Sequence, residues 1–159
     1  MARSLYSRRG LLGAGAALAF GLVTPVRAEL SATLDVYKDP NCGCCTGWIA
    51  HLRQQGFLAR VTDMADLAAI KQRLGVPDAL TSCHTARLNN YVIEGHVPAH
   101  AIRRLLAEKP QALGLAVPGM PIGSPGMEGP NPQAYDVRLL HEDGTVSVYA
   151  QHNANQHSR

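Results

Sequence analysis

No apolar run in the chain is long enough to cross a membrane. The N-terminal one, Leu11 to Val23, is thirteen residues, whereas a spanning helix needs about 20. Arg3, Arg8 and Arg9 precede it, and Val26-Arg27-Ala28 follows, ending on the small residue a signal peptidase needs. Residues 1–28 therefore read as a cleaved export signal and not as an anchor. Ser7-Arg8-Arg9-Gly10-Leu11-Leu12 resembles the twin-arginine export motif, so the periplasm is the expected compartment.

The mature chain also lacks an excess of charge of either sign. The full sequence carries 15 Lys+Arg against 12 Asp+Glu, but four of the arginines and none of the acids fall within residues 1–28. What remains is 11 bases against 12 acids, a net charge of −1 in place of +3. The apparent basicity belongs to the leader. Neither a nucleic acid nor, once the signal is cleaved, an anionic membrane is an expected partner. Length excludes a second core as well: 159 residues with 46% hydrophobic content suffice for one domain. That domain is expected over 29–150, with 151–159 as a polar, flexible tail.

Cysteine is scarce, with four in the chain, and its distribution is the main signal. Cys42, Cys44 and Cys45 fall within Asn41-Cys42-Gly43-Cys44-Cys45-Thr46-Gly47-Trp48, and Cys83 stands alone. An exported protein meets an oxidising compartment, where structural cysteines pair. Four satisfies the count, but this spacing does not suit two ordinary bridges. Such a patch is a soft-metal site, a redox centre, or both.

Periodicity places these residues on elements. Ala32 to Tyr37 alternates Leu34 and Val36 as a strand, and Lys38-Asp39-Pro40-Asn41 breaks it. From Cys45 or Thr46, Trp48, Ile49 and Leu52 take helical spacing up to Gly56. The cysteines then sit at a helix N-terminus, where free N–H groups and the helix dipole favour thiolate. Leu58 to Thr62 predicts a second strand. Leu67, Ile70 and Leu74 predict a second helix, capped by Asp63 or Asp66 and stopped by Gly75-Val76-Pro77. Two strands, Thr85 to Leu88 and Tyr91 to Glu94, flank an Asn89-Asn90 turn. A third helix with Ile102, Leu105 and Leu106 follows Pro98 and closes at Pro110.

This order predicts an α/β fold with a thioredoxin-like β-α-β-α-β-β-α core. Cys42-Gly43-Cys44-Cys45 contains the C-x-x-C of that superfamily with an added cysteine. Thioredoxin-like proteins usually keep a cis-proline facing that motif; here the region reads Thr81-Ser82-Cys83-His84, so Cys83 is expected to face the cluster. Nine of the sixteen residues from 117 to 132 are Gly or Pro, so a loop is expected, with Pro-Gly-Met at 118–120 and 125–127. Tyr135 to Leu140 and Thr145 to Ala150 predict a C-terminal β-hairpin.

Four cysteines can close a tetrahedral zinc site, but adjacent Cys44 and Cys45 diverge at a helix start and enclose one small ion poorly. Monovalent copper prefers thiolates, and one sulfur can bridge two ions, so a crowded patch favours several Cu(I) ions. Four thiolates would also balance four such charges. His84, beside Cys83, is a candidate imidazole ligand, and Met120 and Met127 are weaker thioether candidates. His96 and His100 stand at i and i+4, but Pro98 between them begins the helix and favours solvated or capping roles. Two alternatives stay open. One is a pair of disulfides, Cys42–Cys45 and Cys44–Cys83; the other is a thiol-disulfide oxidoreductase working catalytically through Cys42 and Cys45.

Four ordered motifs, Lys38 to Cys45, Ser82-Cys83-His84-Thr85-Ala86, Glu94 to Ala99 and Gly114 to Glu128, together resemble the exported CopG copper-resistance proteins. The resemblance spans nearly all of the mature chain. It implies a thioredoxin-like domain that binds a multinuclear Cu(I) cluster in the periplasm, for copper detoxification, alongside other copper-handling proteins there. Carried over residue by residue, it implies Cys42, Cys44, Cys45, Cys83 and His84 as ligands. For His96, Met120 and Met127 it implies no such role.

Overall fold

The computed structural model describes residues 32–154. The expected export signal, with Arg3, Arg8, Arg9 and the site after Ala28, lies outside the described residues, as does the tail from 155 onward.

Strand β1, Thr33–Lys38, buries alternate positions, and Leu34 and Val36 are fully enclosed. Helix α1, Gly43–Gln54, turns Cys45, Trp48, Ile49 and Leu52 onto the sheet. Strand β2, Leu58–Asp63, runs parallel to β1. Helix α2, Ala68–Arg73, starts where the Asp66 carboxylate accepts the Ala68 N–H at 2.8 Å. The N-cap itself is Leu67, whose side chain makes no capping bond, so Asp66 acts one residue ahead of the cap and Asp63 ends β2 instead. A 3-10 turn over Asp78–Leu80 then leads into β3, His84–Leu88, and β4, Tyr91–Glu94. These two form a hairpin whose turn residue Asn89 has φ 54°, a conformation that Asn tolerates. Helix α3, Ala99–Glu108, buries Ile102 and Leu105 and ends at Lys109, where Tyr91 Oη donates to the Pro110 carbonyl at 2.9 Å.

Three more strands extend the sheet: β5, Gly114–Ala116, β6, Tyr135–Leu140, and β7, Val146–His152. The order is β2-β1-β3-β4-β5-β6-β7, with β1/β2 and β4/β5 parallel and the other pairs antiparallel. The β2-β1-β3-β4 half with its helices is the thioredoxin-like core expected from the sequence. The β6–β7 hairpin was expected too; β5 was not, since three residues carry no readable alternation. Gly114 permits it, because a Cβ there would overlap the Val92 backbone. Strand β7 also runs two residues past the expected end of the domain, pairing His152 with Tyr135.

The core lies between the sheet and the helices, around Leu34, Trp48, Leu52, Ile93, Ile102, Leu105 and Leu115, all fully buried. Each such side chain contributes about 1.5–3 kcal/mol through burial. Trp48 Nε1 satisfies its one donor on the Val97 carbonyl at 2.9 Å. That bond ties α1 to the segment that enters α3, and so fixes the helix that carries three of the cysteines.

Candidate metal centre

The turn after β1 delivers the first thiols. Asp39 accepts N–H groups from Asn41, on its side chain, and from Cys42, on its carbonyl. Cys42 is the N-cap of α1, with φ −76° and ψ 98°, and its Sγ accepts the Cys45 N–H at 3.3 Å. Thr46 Oγ1 donates to the Cys42 carbonyl at 3.2 Å and secures the first turn. Cys42 and Cys45 form a disulfide, while Cys44 and Cys83 are free thiols. Of the two bridges weighed from the sequence, one is therefore present and the other is not.

Cys83 arrives just before β3. Its Sγ lies 3.4 Å from Cys45 Sγ and 3.6 Å from Cys44 Sγ, and Cys42 and Cys44 approach to 3.4 Å. All four sulfurs fall within 4.8 Å of one another. The fold thus joins the local cluster to the distant cysteine, as the sequence suggested. His84 Nδ1 stands 3.4 Å from Cys83 Sγ, and its ring packs on Trp48 at 4.3 Å between centroids.

His96 joins them, against expectation. It is fully buried, with Nε2 at 3.1 Å from Cys83 Sγ, so it is neither solvated nor a cap. Its Nδ1 lies 2.8 Å from the Pro125 carbonyl. A carbonyl only accepts, so Nδ1 carries the proton and Nε2 turns its lone pair toward the thiol. The orphaned signal lay in the hairpin: a turn at Asn89-Asn90 sets 85 opposite 94, and the same register continued brings 96 back beside 83. His100 behaves as anticipated. It is exposed on α3, with its ring 5.1 Å from that of His152.

Burial dominates the electrostatics. It pushes the Cys83 thiol up to about 12, with neighbouring Cys44 adding to the rise. Burial likewise holds His84 well below its ordinary value of 6.5, helped by His96 and Lys71, and lowers His96. Both imidazoles are neutral at neutral pH, the form that ligates a metal. Four sulfurs with two neutral imidazoles form a soft donor set suited to Cu(I) or Zn(II), and unsuited to Mg(II) or Ca(II).

The Gly/Pro-rich loop lies against this site. Gly126 has φ +86°, and a Cβ there would meet the Cys44 carbonyl and the Trp48 nitrogen at 2.5 Å. Only glycine lets the loop approach the first turn of α1 so closely. Met127, the next residue, is partly buried, and Met120 is 52% exposed.

The family model described as "Protein of unknown function, DUF411" matches residues 80–127. Two solved structures, described as copper resistance protein copG in forms 2 and 1, are similar to the chain at 48% and 47% identity. They cover 76% and 77% of this chain and 98% of their own, each with a TM-score of 0.73. No curated protein matches. With that identity maintained over nearly the whole of both solved chains, and the thiols converging at one point of the shared fold, this chain belongs to the CopG family of copper resistance proteins.

Proposed function

We propose that the mature protein binds copper in the periplasm as a multinuclear Cu(I)–thiolate cluster and serves copper resistance. The convergence of four sulfurs within 4.8 Å carries this reading. A single tetrahedral ion would use each thiolate once, whereas Cys44 and Cys45, adjacent in sequence, are better placed to bridge neighbouring ions. Cys42, Cys44, Cys45 and Cys83 would be the ligands, with His84 Nδ1 and His96 Nε2 completing the set. The export signal read in residues 1–28 supports the location. The disulfide and four-thiolate ligation exclude one another, so the copper-bound state is the reduced one. Anaerobic titration of the reduced mature chain should take up more than one Cu(I) per chain. Zero uptake, or zinc held so tightly that copper is refused, would sink the proposal.

One observation favours a second reading. The Cys42–Cys45 disulfide sits at a helix N-terminus, the position from which thiol-disulfide oxidoreductases work. Insulin reduction by metal-free protein tests it. Activity that survives Cys83→Ser supports an oxidoreductase, and an inactive protein leaves the metal role.

A further inference from the structure

The residues on either side of Cys83-His84 are held by one buried carboxylate. Glu94, at the end of β4, is fully buried, and Lys71 in α2 nearly so. Glu94 Oε1 accepts the backbone N–H of Ser82 at 2.6 Å and the Lys71 ammonium at 2.5 Å. Glu94 Oε2 accepts the Thr85 hydroxyl at 2.5 Å, and Lys71 Nζ also donates to Thr85 Oγ1 at 2.7 Å. Ser82 and Thr85 bracket the cysteine-histidine pair, so the carboxylate grips the chain just before Cys83 and just after His84. Gly95 makes room for the grip. It has φ +69°, and a Cβ on it would collide with the Ser82 side chain and the Val117 carbonyl.

Stability alone does not account for such a pair. Removing both charges from water costs much of what their attraction returns, and well-packed apolar replacements are often neutral or better. What an apolar pair could not supply is directed acceptors for Ser82 and Thr85. We propose that Glu94, neutralised and held by Lys71, is the positioning residue that presents Cys83 and His84 to the thiols of α1. The proposal takes the copper reading as its frame, but the geometry it concerns exists without metal.

The test uses the full mature chain carrying K71M/E94L, with Thr85→Val as a second variant. Four properties are measured: thermal unfolding, Cu(I) affinity and the charge-transfer spectrum under chelator competition, and Cys44–Cys83 crosslinking in metal-free protein. Diamide drives the last by taking two electrons and two protons from the two thiols as their sulfurs bond. The double variant leaves the Ser82 N–H and the Thr85 hydroxyl without Glu94 as acceptor, so it should fold but melt several degrees below the wild type. Its copper affinity should fall about 10–100-fold, the loss typical when groups that orient a ligand are removed. The spectrum should shift, and crosslinking should slow at least about tenfold, since the thiols no longer dwell together. Thr85→Val should show the same changes, smaller. A folded double variant with wild-type affinity, spectrum and crosslinking rate overturns the proposal. Should that variant not fold, wild-type values for Thr85→Val overturn it instead. If the unsubstituted protein takes up no Cu(I), the copper reading fails, and the crosslinking rates still decide the role of Glu94.

Discussion

Cys42, Cys44 and Cys45 come from four consecutive residues at the start of one helix, whereas Cys83, His84 and His96 are gathered from the entry of one strand and the exit of another. The helix half is local. Its thiols are near enough to pair, and Cys42 and Cys45 do. The strand half is assembled by a hairpin, a buried ion pair and the Pro125 carbonyl. His84 and His96 are fully buried there, and the Cys83 thiol holds its proton up to about 12. One half can change its covalent state and the other cannot without the first. In the proposed copper site, that division sets a fixed receiver opposite a group whose ligand number depends on redox state.

The sharpest way to break the comparison is to remove the strand half's one sulfur. Cys83→Ser should lower Cu(I) affinity by more than about 100-fold, since the loss of orienting groups alone costs about 10–100-fold. It should also leave the Cys42–Cys45 disulfide intact. Anaerobic chelator competition and thiol counting read the two halves separately. Retained affinity would mean that the helix cysteines bind alone.

Gly126→Ala strikes both halves together, because the loop touches Cys44 through Gly126 and His96 through Pro125. A left-handed alanine with its Cβ against backbone should cost about 2 kcal/mol. Chemical denaturation should show the loss, and the His96 Nδ1 proton should exchange faster. An unchanged midpoint would place the loop outside the site.

Acid separates the halves by charge, since a disulfide does not titrate. His84 is held neutral in the fold by burial and by His96, Lys71 and Lys38, against an opposing hydrogen bond with the Gly95 backbone. Unfolded, it protonates near 6.5. Below that pH the unfolded chain binds more protons, so the stability His84 confers is complete above 6.5 and is lost as pH falls. Metal-free protein should lose up to about 1.4 kcal/mol per pH unit on this account. Urea midpoints from pH 7.5 to 5.5 measure it, and a slope unaltered by His84→Gln would assign the effect elsewhere.

How much of this was legible follows from the same division. The helix half is written in consecutive letters, and spacing alone placed it at a helix start. Cys83 facing it required the strand order β2-β1-β3-β4, which the element pattern carried. His96 was readable only by extending the Asn89-Asn90 register past the end of the paired strands, and its buried state contradicts the solvated or capping role that Pro98 suggested. Lys71 and Glu94 gave no local signal, because a buried ion pair between α2 and β4 looks in sequence like two surface charges. β5 escaped notice because its three residues gain strand geometry from neighbours on both sides, not from their own alternation.

The smallest expected effect concerns the histidine that sequence spacing paired with His96. His100 lies one helical turn further along and points its ring at His152, not at the thiols. His51, on α1, caps the same helix by accepting the Ala99 N–H on Nε2 at 3.3 Å, so α3 does not depend on His100 for its start. His100→Ala should therefore change stability by no more than about 0.5 kcal/mol, as for most exposed positions. Cu(I) affinity should stay within experimental scatter of the wild type. A loss comparable with that of Cys83→Ser would show that the strand half extends along α3 to the His152 edge of the sheet, and that the division between a local and an assembled half misses a third contributor.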